Sequence, residues 1–164
     1  MAIDSARGGP VAVASPDPGG VKRAQLWREA LEQRLAQPVG FAMVDKRRSG
    51  GVVSSFDLVA GDVAGMSVLL LDDLIASGGT MGRAAAALRQ AGAREVIALA
   101  AHGLFIAPAA DVLADAAISR VVVTDSVPPF RLPSSGPVAD KLQVVSVVPL
   151  FAQAVTQCHE TWPH

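Results

Sequence analysis

Residues 67–81 read Ser-Val-Leu-Leu-Leu-Asp-Asp-Leu-Ile-Ala-Ser-Gly-Gly-Thr-Met. The apolar run at 68–71 is too short for a helix and uniform enough for a strand buried on both faces. Two adjacent carboxylates, Asp72 and Asp73, end that run. A turn of small residues, 76–80, then opens an alanine-rich stretch of strong helix formers, 83–91, with Gly92 placed as its cap. The order of strand, acids, turn and helix predicts a buried strand that carries charge and a phosphate-sized loop to one end of a sheet.

Working outward, residues 11–14 form a second short apolar run. Ser-Pro-Asp-Pro-Gly-Gly at 15–20 follows as a turn, and 21–35 carries Ala24, Leu26, Trp27, Ala30, Leu31 and Leu35 at helical spacing. Residues 39–44 read as a strand before the basic run at 46–48, and 52–60 as a further strand. Beyond Gly92, strands are expected at 95–101, 120–124 and 142–148. Helices are expected at 107–114 and 149–158, and 127–137 holds too much proline for either. Strands and helices alternate, which predicts an α/β fold: a three-layer, doubly wound, mainly parallel, Rossmann-like sheet. A leader (1–10), one domain (11–158) and a tail (159–164) complete the organisation.

The totals exclude several functions. Fourteen basic and 15 acidic residues give a net charge of -1, so no global field draws the chain to nucleic acid or to a membrane surface. A lone cysteine, Cys158, rules out an internal disulfide or a cysteine-built zinc site. No apolar run approaches the roughly 20 residues of a membrane span, and the first ten residues lack a signal-peptide core. The expected location is the cytoplasm.

Ligands of doubly wound sheets gather beyond the carboxyl ends of the strands, where Asp17, Lys46, Arg48, Asp72, Asp73, the 76–80 turn and His102 all fall. In Ala76-Ser77-Gly78-Gly79-Thr80 the two glycines let backbone amides approach an anion, and the helix that follows adds its positive end. No lysine follows the second glycine, so a terminal monophosphate suits this loop better than a triphosphate. Strand alternation sends Asp72 and Asp73 to opposite faces. One could accept hydrogen bonds from vicinal sugar hydroxyls or hold a metal through water. Asp17, between two prolines, also suits a turn-stabilising role.

The 67–81 segment resembles the phosphoribosyl diphosphate (PRPP) motif of type I phosphoribosyltransferases and PRPP synthetases (ribose-phosphate diphosphokinases). Ser15-Pro16-Asp17-Pro18-Gly19-Gly20-Val21-Lys22-Arg23-Ala24 and Val44-Asp45-Lys46-Arg47-Arg48 are similar to two synthetase signatures. His102-Gly103-Leu104-Phe105 and the stretch 122–128 match in order and spacing, so the resemblance spans residues 11 to about 157.

The resemblance implies a type I phosphoribosyltransferase-like fold. It makes Lys46 and Arg48 the catalytic pair of a loop, and Asp72 and Asp73, with Ala76, Ser77, Gly78, Gly79 and Thr80, the ribose 5-phosphate or PRPP site. It makes Asp17 a ligand of Mg2+. The implied reaction converts ATP and ribose 5-phosphate to PRPP and AMP in a homo-oligomer, with the ATP site incomplete in this chain, which resembles the second domain alone. Two departures stand out: Ala76 where the motif is usually acidic, and Ser-Gly-Gly after Arg48. A free-standing phosphoribosyltransferase and a non-catalytic regulatory subunit are the alternatives.

Overall fold

The structure, a computed structural model, describes residues 9–45, 48–49, 52–53 and 57–161. Its main sheet has seven strands. Along the chain these are β1 (Val11–Ser15), β2 (Gly40–Asp45), β5 (Leu58–Ala60), β6 (Ser67–Ile75), β7 (Glu95–Gly103), β8 (Arg120–Thr124) and β9 (Leu142–Val145). They lie in the order β5-β2-β1-β6-β7-β8-β9, and a separate two-stranded ribbon pairs β3 (Arg48–Ser49) with β4 (Val52–Val53). Every neighbouring pair in the main sheet is parallel except β2 with β5.

Parallel neighbours require crossovers, and these divide the helices between the two faces. Helix α1 (Val21–Leu35) buries Ala24 and Leu31 against Val11, Val13, Leu69 and Ile97 on one face. Helices α2 (Gly79–Gln90), α3 (Ala109–Ala114) and α4 (Pro137–Lys141) pack on the other, where Met81, Leu88, Leu113 and Val138 meet Ala14, Leu70, Ala98 and Val121. The three expected layers are present. Because β1 connects through α1 to β2 on one side while β6 connects through α2 to β7 on the other, the winding reverses between β1 and β6.

Four expectations need correction. The strand expected at 52–60 is split between β4 in the ribbon and β5 in the main sheet, since a stretch that mixes Ser and Asp with valines has no uniformly buried face to hold it in one sheet. The final strand stops at Val145 rather than at 148. There, Asp125 turns the chain: its amide bonds the carbonyl of Val145 (3.0 Å), and its Oδ1 accepts from the amide of Val147 (2.9 Å). Helix α5 (Val148–Thr161) therefore starts one residue early and runs three residues past its expected end, into the expected tail. Helix α4 was not expected. Pro137 at its start supplies a pre-set φ and no N–H that would need a partner.

Val68, Leu69 and Leu70 are fully buried at the centre of the sheet. Leu69→Ala is therefore expected to cost about 2–5 kcal/mol in urea denaturation while leaving the secondary structure intact by circular dichroism.

Candidate active site at the sheet reversal

The end of β6 forms the middle of the site. Its ladder with β1 stops at Leu70, whereas its ladder with β7 continues to Ile75 opposite Gly103. Residues 71–75 therefore project past β1 while still gripped from the other side. The loop after β7 tightens that grip, with the amides of Leu104 and Phe105 donating to Ile75 O (2.9 and 3.3 Å) and that of Ile106 to Ala76 O (3.1 Å).

Residues 76–80 then turn into α2. Gly78 has φ 77°, a left-handed conformation that glycine adopts without strain, and no side chain caps the helix. The first-turn amides of α2 are thus available to an anion, with the helix dipole behind them. Compact packing from α3 supports the turn: a Cβ on Gly82 would stand 2.6 Å from Cγ1 of Val112. Asp72 and residues 74–81 line a hollow of about 90 Å³. Pockets for drug-sized ligands begin at about 300 Å³, so this one suits a phosphate group.

On the β1 side, Ser15 Oγ donates to the carbonyl of Asp17 (2.6 Å), and Asp17 Oδ1 accepts from the amide of Gly20 (3.0 Å). Asp17 thus has the turn-stabilising role its sequence context suggested, which commits one of its two oxygens. A Cβ on Gly20 would fall 2.6 Å from Ser15 Oγ, so any larger residue here would displace that hydroxyl from its bond to Asp17 O. Among the described residues no cluster of three or more His, Cys, Asp or Glu side chains forms a metal cage. A single carboxylate still fits Mg2+, which keeps most of its waters and is commonly held by one or two carboxylates plus substrate phosphates.

The two acids behave differently from what strand alternation predicts. Asp72 and Asp73 both bond one guanidinium, with Arg23 Nη1 3.0 Å from Asp72 Oδ1 and Nη2 2.7 Å from Asp73 Oδ2. The Asp73 amide also donates to Asp72 Oδ1 (2.8 Å). β1 no longer runs alongside here and the ladder with β7 passes from Asp72 to Leu74 without pairing Asp73, so strict alternation lapses and a fork from α1 holds both side chains in one place. Arg23 lies in the quoted 15–24 signature, but no role was read for it. An ion pair 49 residues apart has no signal in local sequence pattern. Such a partly exposed pair contributes about 0–1 kcal/mol to stability.

Desolvation, the largest influence, pushes the Asp72 carboxyl above its ordinary value of 3.8; the Asp73 carboxylate adds to this, while the Asp73 amide and Arg23 oppose it. The structure thus brings Asp72, Asp73 and the 76–80 loop together, with Arg23 linking the acids to the turn of Asp17. Lys46 lies outside the described residues. For Arg48 only the backbone is described, paired with Val53 in the ribbon. His102 Nδ1 lies 2.8 Å from Ser126 Oγ, on the exposed rim beyond β7 and β8.

Fold and site together define an α/β domain of the type I phosphoribosyltransferase class, with a small hollow at its sheet reversal. The chain belongs to the phosphoribosyl synthetase-associated domain family, whose model matches residues 54–162. It is 41% identical over 158 residues to a ribose-phosphate pyrophosphokinase of Caldanaerobacter subterraneus subsp. tengcongensis, covering 96% of this chain and 47% of that protein. A ribose-phosphate pyrophosphokinase of Parasynechococcus marenigrum is 39% identical over 151 residues, covering 92% of this chain and 43% of its own length. Among solved structures, the phosphoribosylpyrophosphate synthetase of Mycobacterium smegmatis superposes with a TM-score of 0.73 at 34% identity, over 93% of this chain and 46% of that one. The chain thus spans about half the length of the relatives it matches. No helix among the described residues is long and apolar enough to cross a membrane.

The raised pKa of Asp72 sets a pH dependence. A carboxyl raised in the folded state contributes stability that is fully present below its unfolded pKa and is lost as pH rises through the folded value. At neutral pH the ionised Asp72 is therefore an adverse group. Asp72→Asn is expected to melt at an equal or higher temperature than the parent at pH 7, with the difference shrinking below pH 3.8, as checked by scanning calorimetry.

Proposed function

We propose that this chain supplies the ribose 5-phosphate and PRPP side of a ribose-phosphate diphosphokinase, which converts ATP and ribose 5-phosphate to PRPP and AMP. The observation that carries this reading is that Asp72 shares one hollow with the 76–80 loop. A ribose 5-phosphate has the matching pattern, with its phosphate at one end and vicinal hydroxyls that donate to carboxylates nearby. The names of the relatives point to the same substrate.

In this reading the α2 amides, with Ser77 and Thr80 hydroxyls, hold the 5-phosphate, while Asp72 and Asp73 accept from the sugar hydroxyls and thereby orient the C1 hydroxyl. Lys46 and Arg48 act on the transferring diphosphoryl group. Such a transfer spreads negative charge over phosphate oxygens, and fixed positive charge lowers its barrier more than covalent participation does. Asp17, through its second oxygen and bound waters, would hold Mg2+, which when bound neutralises phosphate charge. ATP-binding groups outside this half of the relatives' length, a cytoplasmic setting and assembly into a homo-oligomer belong to the same reading.

Two experiments test it. Ribose 5-phosphate titrated into the 164-residue chain with Mg2+ should release heat of binding, and Asp72→Ala should weaken that binding at least about tenfold with the fold retained. Unchanged affinity would remove Asp72 from the site. The chain alone should turn over poorly, so robust AMP formation in a coupled assay would refute the half-site reading. In a protein completed to the relatives' full length, Lys46→Ala should lower kcat far more than it raises KM, because its charge acts chiefly on the transition state.

A further inference from the structure

We propose that Arg23 is a positioning residue of the sugar site, its guanidinium fork presenting Asp72 and Asp73 as one paired acceptor for a vicinal diol. The inference rests on the sugar-phosphate reading above and gives a role to a residue outside the acids, the phosphate loop and the basic loop.

Consecutive residues of a strand face opposite ways, so two neighbouring carboxylates meet only if something gathers them. The fork does so through two separate nitrogens, at 3.0 and 2.7 Å. It takes one oxygen from each acid, and the Asp73 amide shares the Asp72 oxygen already bound. The second oxygen of each carboxylate takes no part in the fork or in the bond from the Asp73 amide. Ionised carboxylates only accept, so the arrangement offers two acceptors on adjacent residues, and two hydroxyls on adjacent carbons match it.

Placement supports the same role. Arg23 sits in the first turn of α1, directly after the turn that holds Asp17, and reaches across the sheet reversal to β6. A lysine in this place would keep the charge but could not span two carboxylates with a rigid fork. This separates positioning from a simple electrostatic pull on the phosphate. A pull would strengthen every sugar phosphate alike, whereas a positioned acceptor pair strengthens only ligands with the full diol.

The test is calorimetry on the 164-residue chain and on Arg23→Lys and Arg23→Ala, each titrated with ribose 5-phosphate, 2-deoxyribose 5-phosphate and inorganic phosphate. The parent should prefer ribose 5-phosphate over its 2-deoxy analogue about tenfold, the scale of one hydrogen bond to a charged acceptor. Both variants should bring that ratio to within about twofold, and Arg23→Lys should keep its affinity for inorganic phosphate. A ratio retained by Arg23→Ala, or fully restored by Arg23→Lys, overturns the positioning role while leaving the sugar-phosphate reading intact. A parent that does not bind ribose 5-phosphate overturns both. Should Arg23→Ala fail to fold by circular dichroism, the lysine variant decides alone.

Discussion

A strand buried on both faces can carry no charge until it clears the core. In β6, Val68, Leu69 and Leu70 are wholly buried, and the first ionisable residues, Asp72 and Asp73, follow as soon as β1 no longer runs alongside. Strands β1 and β7 run parallel to β6, parallel neighbours force crossovers whose helices bury both faces, and crossovers in opposite directions create the reversal between β1 and β6. Charge and cleft coincide because both begin where the core ends.

The site built there is not arranged for stability. Desolvation and a like-charged neighbour both raise the Asp72 carboxyl, and the arginine that opposes them is itself substantially exposed. Perturbed carboxylates gathered in a cleft in this way are characteristic of functional sites. The 76–80 turn follows the same logic, since a helix whose first turn lacks a side-chain cap leaves its amides open to an outside acceptor.

Much of this was legible in the residues. Helix α1 has the limits expected from its apolar spacing, and β1, β6, β7 and β8 announced themselves as short apolar runs. Gathering the 15–20 and 76–80 turns on one rim also followed from alternation alone. The failures share a cause: where burial does not impose a period, the sequence carries little signal. β5 is a three-residue antiparallel edge strand, and the end of β9 is decided by hydrogen bonds from Asp125, twenty residues away in sequence. The convergence of Asp72 and Asp73 on Arg23 depends on tertiary approach and contradicts the local rule of alternation. No pattern within a strand can express that.

The unequal ladders of β6 carry one more consequence. Past Leu70 the strand has β7 on one side and no β1 on the other, so a short stretch of sheet edge opens in the middle of the sheet. Main-chain groups along that edge stand beside the carboxylates, and a side chain, that of Asp72, already bonds one of them, the Asp73 amide. Peptide groups survive every amino-acid replacement except proline. An alanine scan of this rim would therefore register the acids and the arginine and pass over the backbone, understating how much of the recognition surface the fold itself provides.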